Sequence, residues 1–330
     1  MNLQLIIFVI LIFITSFILT YLVKEIAKRK ALMDIPNDRS SHTIPTPRGG
    51  GIAIAVTWFA GISFMYYQYN INQYLYFALM SGLLISTISF LDDIINLKSL
   101  PRLIIQAVAT GIAIFFIGGL KKIDLGFYII ENQFLLTLIA FVGIIWFINL
   151  FNFIDGIDGY AGSESIFVAL SLLAFTGDYV LLLLTVAVLG FLPWNWDKAK
   201  IFMGDVGSTL IGFTLAILAV YYQNTDQFPI FNWLILTSLF WFDATLTLFR
   251  RFRNKEKLSQ AHRKHAYQRI VQAGFSHQKT VLYAIAINVV LFVLVLINHQ
   301  ITSLLLPCFF ITLTILWFIN HRIDRKKNFV

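Results

Sequence analysis

The 330-residue chain is short of charge: Asp, Glu, Lys and Arg make up 13% of it, where a soluble domain carries about 25%. So few charges cannot cover a water-facing surface. With 58% apolar residues and a mean hydropathy of +0.77, lipid must be its main solvent. Cysteine is nearly missing as well. The single Cys308 excludes an intrachain disulfide and a cysteine-ligated metal. The opening stretch, MNLQLIIFVILIFITSFILTYLV, lacks the positive start and the small-residue cleavage site of a signal peptide. It is read as a retained first membrane helix, because Lys24, Lys28, Arg29 and Lys30 follow the apolar run instead of preceding it. No soluble second domain and no internal repeat is visible, so 1–330 is read as a single integral membrane domain.

What is present is a series of apolar stretches. A spanning helix needs about 20 mostly apolar residues. Eleven candidates fit: 2–23, 49–68, 74–91, 101–119, 133–150, 160–177, 179–194, 206–223, 230–249, 280–298 and 302–320. The expected fold class is therefore an all-α polytopic membrane protein of about eleven transmembrane helices. Thr176-Gly177-Asp178 separates the sixth from the seventh as a tight turn. Residues 121–132 alternate loosely at Ile123, Leu125, Phe127 and Ile129 and are expected to form a short periplasmic hairpin. With the N-terminus outside and eleven alternating helices, 23 of the 25 Lys and Arg residues fall in inside segments, and only Lys121 and Lys122 fall outside. Positive residues mark the cytoplasmic side. This places the C-terminus in the cytoplasm, with cytoplasmic loops at about 24–48, 92–102, 149–160, 195–206 and 250–279. The net charge of +8 and the pI near 9.5 then reflect topology and lipid headgroups, and call for no nucleic acid.

The unusual polar residues gather at the cytoplasmic ends of these helices. Asp92-Asp93 closes the third. Asn149-Leu-Phe-Asn152-Phe-Ile-Asp155-Gly-Ile-Asp158-Gly follows the fifth, Asn195 through Phe202-Met-Gly-Asp205-Val-Gly-Ser208 follows the seventh, and His262-Arg-Lys-His265 follows the ninth. Acids at membrane depth are costly and mark function. Adjacent carboxylates suit a hard cation or phosphate chemistry, although Asp92-Asp93 also reads as an ordinary helix-end pair near Lys98 and Arg102. Two Asn and two Asp within ten residues supply more oxygen ligands than a plain turn needs. The glycines around Asp205 let backbone N–H groups approach an anion where a helix begins, and an Asp205 helix cap is the plain alternative. His262 and His265, beside Arg263 and Lys264, suit phosphate better than zinc, which wants three or four ligands. Asp243, the one charge inside the ninth stretch, is a positioning candidate able to pair with Arg250.

These motifs, in this order, resemble the polyprenyl-phosphate N-acetylhexosamine-1-phosphate transferases. That superfamily includes the bacterial enzymes starting O-antigen and enterobacterial common antigen, the peptidoglycan enzyme making lipid I, and the eukaryotic enzyme starting the dolichol pathway. The likeness runs from Asp34-Ile-Pro-Asn-Asp-Arg-Ser-Ser-His42 and Pro47-Arg-Gly-Gly-Gly51 to a loop ending near Lys279. It implies a Mg²⁺-dependent phosphoryl transfer, with Mn²⁺ as substitute, on the cytoplasmic face of a bacterial inner membrane. Undecaprenyl phosphate attacks the β-phosphorus of a UDP-N-acetylhexosamine, and UMP leaves. By position, the resemblance makes Asp205 the metal ligand and Asn152 a second. Asp92 becomes the base or phosphate organiser, with Asp93 beside it and His265 among the catalytic residues. Asp158 and Asn195 would hydrogen-bond uracil while Phe202 stacks on it. Arg102 would face the diphosphate, Asn149 and Asp155 would bind substrate, and His262, Arg263 and His265 would belong to a loop over the sugar diphosphate. A homodimer is left open.

One departure narrows the branch. Much of the bacterial family carries His-x-His-His in the last loop, where this chain has His265-Ala-Tyr267-Gln268 after Ala261-His262-Arg263. That pattern resembles the branch initiating O-antigen or capsule synthesis, some members of which take 6-deoxy sugars, and it weakens the alternative of a lipid-I-type transferase. Two other enzyme classes and one non-enzyme compete. Aspartate-rich prenyltransferases need a second run like Asp92-Asp93-Ile-Ile-Asn96, and CDP-alcohol phosphotransferases need a pattern that breaks after Asp155-Gly156. A transporter would place its carboxylates near the midplane of repeated halves, whereas these gather at one interface.

Overall fold

The computed structural model describes residues 3–36, 41–258 and 262–329. Residue 2 of the first stretch, residues 37–40 of the 34–42 motif and Ala261 lie outside them. Helix α1 (Leu3–Arg29) leads into a two-residue antiparallel pair, β1 (Met33–Asp34) with β2 (Thr46–Pro47). Then come α2 (Gly51–Tyr69), α3 (Gln73–Met80), α4 (Gly82–Ile95) and α5 (Ser99–Ile117). The hairpin expected at 121–132 forms from β3 (Ile123–Asp124) and β4 (Ile129–Ile130). Next follow α6 (Gln133–Ile154), α7 (Tyr160–Thr176), α8 (Tyr179–Asn195) and α9 (Gly204–Asn224). The chain closes with α10 (Ile230–Leu236), α11 (Ser238–Arg253), α12 (Ala266–Gln272), α13 (His277–Gln300) and α14 (Leu305–Lys326).

All eleven apolar stretches are helical. Among the described residues, seven spans are long and apolar enough to cross a membrane, eight if the bent pair α10–α11 is one; α2, α7 and α8 fall outside that set. The chain is an integral membrane protein. Its apolar surface says the same: α1 buries only six of 27 residues, on one face, and turns Ile7, Ile10, Ile14 and Ile18 outward. Helix α9 is the opposite case. It buries 17 of 21 residues and packs against α2, α4 and α6. Small residues allow this closeness: a Cβ on Gly51 would lie 2.2 Å from the Gly207 backbone nitrogen, so neither helix start tolerates a larger side chain there.

The stretch 230–249, expected as one helix, bends by 77° between α10 and α11. The reason is local. Thr237 Oγ1 donates to the Trp233 carbonyl (2.8 Å) and Ser238 Oγ to the Ile235 carbonyl (2.7 Å), so hydroxyls compete with the helical ladder. The Trp241 indole N–H satisfies the freed Leu234 carbonyl at 2.8 Å.

Candidate active site

Six helix ends among the described residues meet at one end of the bundle: the starts of α2, α5 and α9 and the finishes of α4, α6 and α8. The junction is made by backbone. Phe202 N–H donates to the Pro47 carbonyl (2.8 Å), Gly50 N–H to that of Phe202 (2.9 Å) and Gly51 N–H to that of Met203 (2.8 Å). This short bridge brings Arg48 beside the acids. Its guanidinium lies 2.8 Å from Asp93 Oδ1. Arg102, at the start of α5, spans Asp92 Oδ2 (2.5 Å) and Asp205 Oδ2 (3.0 Å). Asp92 Oδ1 also accepts the Leu97 N–H at 2.6 Å, so both Asp92 oxygens are engaged where α4 ends. Asp93 Oδ2 is buried without a hydrogen-bond partner among the described residues. Gly204, at φ +75°, makes room for it: a Cβ there would sit 2.8 Å from that oxygen.

In front of this junction lies a cavity of about 380 Å³. Six of the residues singled out from sequence line it: Asn152, Asp155, Asp158, Asn195, Phe202 and Asp205. Asp92, Asp93 and Arg102 are not in its wall; they stand behind and hold Asp205. Asn149 is not in it either, since its amide donates to Gln106 Oε1 and the Ile145 carbonyl, both at 2.8 Å, and ties α6 to α5. The His262, Arg263 and His265 side chains are likewise absent from the wall. His265 is buried, with Nδ1 3.6 Å from Asp243 Oδ2. Asp243 does not pair with Arg250 as expected: it accepts the Ala266 N–H at 2.9 and 3.0 Å, at the start of α12, and Arg250 forks onto Asp324 on α14 at 3.0 Å per arm. The loop's contribution to the cavity is instead Gln268 and His277.

The walls are tightly tied. Asn195 accepts from Gly159 N–H (3.0 Å) and donates to the Ile201 carbonyl (3.1 Å), joining two loops. Asp158 Oδ2 accepts the Ala199 N–H (3.1 Å) and lies 3.3 Å from His277 Nδ1. Asn152 Oδ1 accepts from Ser208 Oγ at 2.6 Å. The lining residues given no role from sequence include His42, Arg48, Gln268 and His277. The ring of His42 meets that of Phe202 edge-on, centroids 4.8 Å apart. Arg48 carried a signal in the glycine run Pro47-Arg-Gly-Gly-Gly51 before a helix, His42 closes the motif that begins at Asp34, and Gln268 ends the last-loop pattern; nothing local marks His277.

Electrostatically the site holds acids against a smaller number of arginines. Burial, and then the carboxylates of Asp205 and Asp93, push the Asp155 carboxyl up to about 7. The donor set available to a cation is oxygen only: Asp205 and Asn152 in the wall, the open Asp93 oxygen behind. That chemistry fits a hard divalent ion. Among the described residues no group of three or more His, Cys, Asp or Glu side chains can cage a metal alone. A small hard ion that keeps several waters and shares substrate phosphates needs only one or two carboxylates.

Residues 74–223 match the family model described as Glycosyl transferase family 4. The chain is 31% identical over 285 residues to the probable undecaprenyl-phosphate N-acetylglucosaminyl 1-phosphate transferase of Bacillus subtilis, covering 82% of this chain and 78% of that one. It is 31% identical over 301 residues to the undecaprenyl-phosphate alpha-N-acetylglucosaminyl 1-phosphate transferase of Escherichia coli, covering 83% and 79%. To the decaprenyl-phosphate N-acetylglucosaminephosphotransferase of Mycobacterium tuberculosis it is 30% identical over 321 residues, covering 82% and 78%.

Proposed function

This chain belongs to the polyprenyl-phosphate N-acetylhexosamine-1-phosphate transferase family, and we propose that it moves an N-acetylhexosamine 1-phosphate from a UDP-sugar to undecaprenyl phosphate. The observation that carries this is the single junction in which Asp205 is held by Arg102 at the mouth of an acid-lined cavity, with Arg48 and Asp93 beside it. An oxygen of the lipid phosphate bonds to the donor's β-phosphorus, the bond from that phosphorus to the bridging oxygen breaks, and UMP leaves with the electron pair. The nucleophile is ionised at neutral pH, so no strong base is needed. Asp92, with both oxygens engaged, then acts as a positioning residue that aims Arg102. Arg48 and Arg102 supply positive charge where two phosphate groups must approach, and fixed charge of this kind is the main protein contribution to phosphoryl transfer.

Asp205 and Asn152 would hold Mg²⁺, or Mn²⁺ in its place, and the ion would supply neutralisation of the donor diphosphate and of the leaving phosphate. Asp158, Asn195 and Phe202 fit the uridine end, with Phe202 offering the stacking face. The Lys and Arg distribution supports a cytoplasmic site in a bacterial inner membrane, with the N-terminus outside. The names of all three relatives specify N-acetylglucosamine, which makes UDP-N-acetylglucosamine the first donor to test. The last-loop pattern supports a step that opens O-antigen, capsule or other envelope polysaccharide synthesis. Purified protein supplied with undecaprenyl phosphate, Mg²⁺ and a panel of UDP-N-acetylhexosamines should release UMP with at least one donor. Asp205→Asn should lower that turnover by about 10³-fold while the variant still inserts and elutes as folded protein. Turnover near that of the parent would remove Asp205 from the chemistry, and the failure of every donor to yield UMP would remove the reaction.

A further inference from the structure

Helix α12 has cavities on two sides. Gln268 faces the acid-lined one; the adjacent Arg269 faces a second, of about 620 Å³, between α12 and the end of α14. Six cations line this second cavity: Arg263, Lys264, Arg269, Arg325, Lys326 and Lys327. No carboxylate among the described residues lines it. The nearest acids act at its edge. Asp324 pairs with Arg250 and Arg269, and Glu256 pairs with Arg251 and Lys264. No acid among the described residues pairs with Arg325, Lys326 or Lys327. Basic residues at a membrane helix end are expected for topology alone, but topology does not require them to surround a hollow.

Arg269 adds a separate observation. It lies on α12, outside the candidate spans themselves, and is 2% exposed. Its terminal nitrogens reach Asp324, the Lys327 carbonyl (3.2 Å) and Asn320 Oδ1 (3.4 Å), yet its Nε has no hydrogen-bond partner among the described residues. A buried guanidinium N–H without an acceptor, lining a cavity of like charges, calls for an anion with several acceptor oxygens. Phosphate has that geometry, and Arg and Lys together suit it.

We propose that this cavity binds a phosphate-bearing anion, supplied by the headgroup of an anionic membrane phospholipid. The source follows from position. The cavity sits at the end of α14, a candidate span whose last turn carries Arg325 and Lys326, and basic pockets between helices at that depth meet lipid headgroups. A bound headgroup holds α12 on a face next to the one that carries Gln268, and so steadies one wall of the acid-lined cavity. The site does not depend on the reaction proposed for that cavity.

The test uses the full chain in detergent, titrated with dioctanoyl phosphatidylglycerol, dioctanoyl phosphatidylcholine or inorganic phosphate, with bound ligand counted by native mass spectrometry and Tm followed in parallel. One saturable phosphatidylglycerol is expected, bound about tenfold or more tighter than phosphatidylcholine. The rim variant Arg325→Gln/Lys327→Gln should weaken it by a similar factor, and Lys121→Gln/Lys122→Gln, at the other end of the bundle, should leave it unchanged. Arg269→Gln addresses the buried nitrogen directly, but that residue also ties α12 to α14, so the rim variant decides. Inorganic phosphate binding as tightly as phosphatidylglycerol would overturn the lipid as source. Equal phosphatidylglycerol binding by the parent and the rim variant would overturn the site.

Discussion

The junction of 47–51 with 202–207 and the segment 262–272 both carry charged motifs near the same cavity, yet only the first aims them into it. In the junction the partners are backbone groups and glycines, so position leaves little freedom: three N–H to carbonyl bonds and one Gly51–Gly207 contact set Arg48, Asp93 and Asp205 against each other. The second segment is held by side chains reaching over distance, with Asp243 on the Ala266 N–H, Tyr267 donating to the Phe153 carbonyl at 2.7 Å, and Arg269 on Asp324. Its histidines turn into protein and its arginines toward a different cavity. The charged groups in the cavity wall at the junction sit on helix ends; the second segment is strapped on.

This contrast is broken most sharply at Arg48. Arg48→Gln leaves Asp93, which is nearly buried, without its 2.8 Å cation and removes one of the two arginines at the junction. UMP-release kcat/KM should fall by about 10²-fold, with Arg48→Lys recovering part of it, since the charge returns without the planar fork. In the same assay His265→Gln should fall far less, because that imidazole is not in the cavity wall. Equal losses in the two variants would erase the distinction between the regions.

A smaller effect is expected where the strap is fastened. Asp243→Ala removes both acceptor contacts of the Ala266 N–H. Loss of such an acceptor at a helix start costs about 1 kcal/mol, which lowers Tm by about 1–2 °C in a chain of this size. Because the same short helix presents Gln268 to the cavity, KM for the UDP-sugar should rise alongside. A variant with the parent's Tm would show that α12 is anchored elsewhere.

The helix-end acids were legible from sequence for a physical reason: in a chain with 13% charge, each Asp or Asn beside an apolar run stands out as costly. That logic located Asn152, Asp155, Asp158 and Asp205, and glycine spacing located the start of α9. It had no purchase on pairings. Nothing local says that residue 48 meets residue 93, that Asn195 spends its amide on Gly159 and Ile201, or that His277 reaches Asp158, because these depend on which helix ends converge. The bend at Thr237 was hidden in the same way. Its hydroxyls are common in membrane helices, and only the Trp241 indole reaching back to Leu234 lets the broken ladder persist. In the basic loop, charge signals a phosphate partner without saying which cavity it faces.

His262 offers the subtlest test, since its chemistry runs against the phosphate-binding role its neighbours suggest. Burial, then the nearby His265 and Arg251, with Glu256 opposing, push its imidazole down to about 4. It is therefore neutral at physiological pH, and its Nδ1 accepts the Lys264 N–H at 3.3 Å. In the unfolded chain an imidazole takes up its proton near about 6.5. Between those two values the unfolded state binds the extra proton, so the contribution of this site to stability is complete above the higher value and is lost as pH falls toward the lower one. Going from pH 7.5 to 5, the parent should lose more Tm than His262→Gln, which has no such proton to bind, while UMP release at pH 7.5 stays close to that of the parent. A parallel Tm loss in both proteins would mean that His262 titrates as it does in the unfolded chain, and that burial does not hold it neutral.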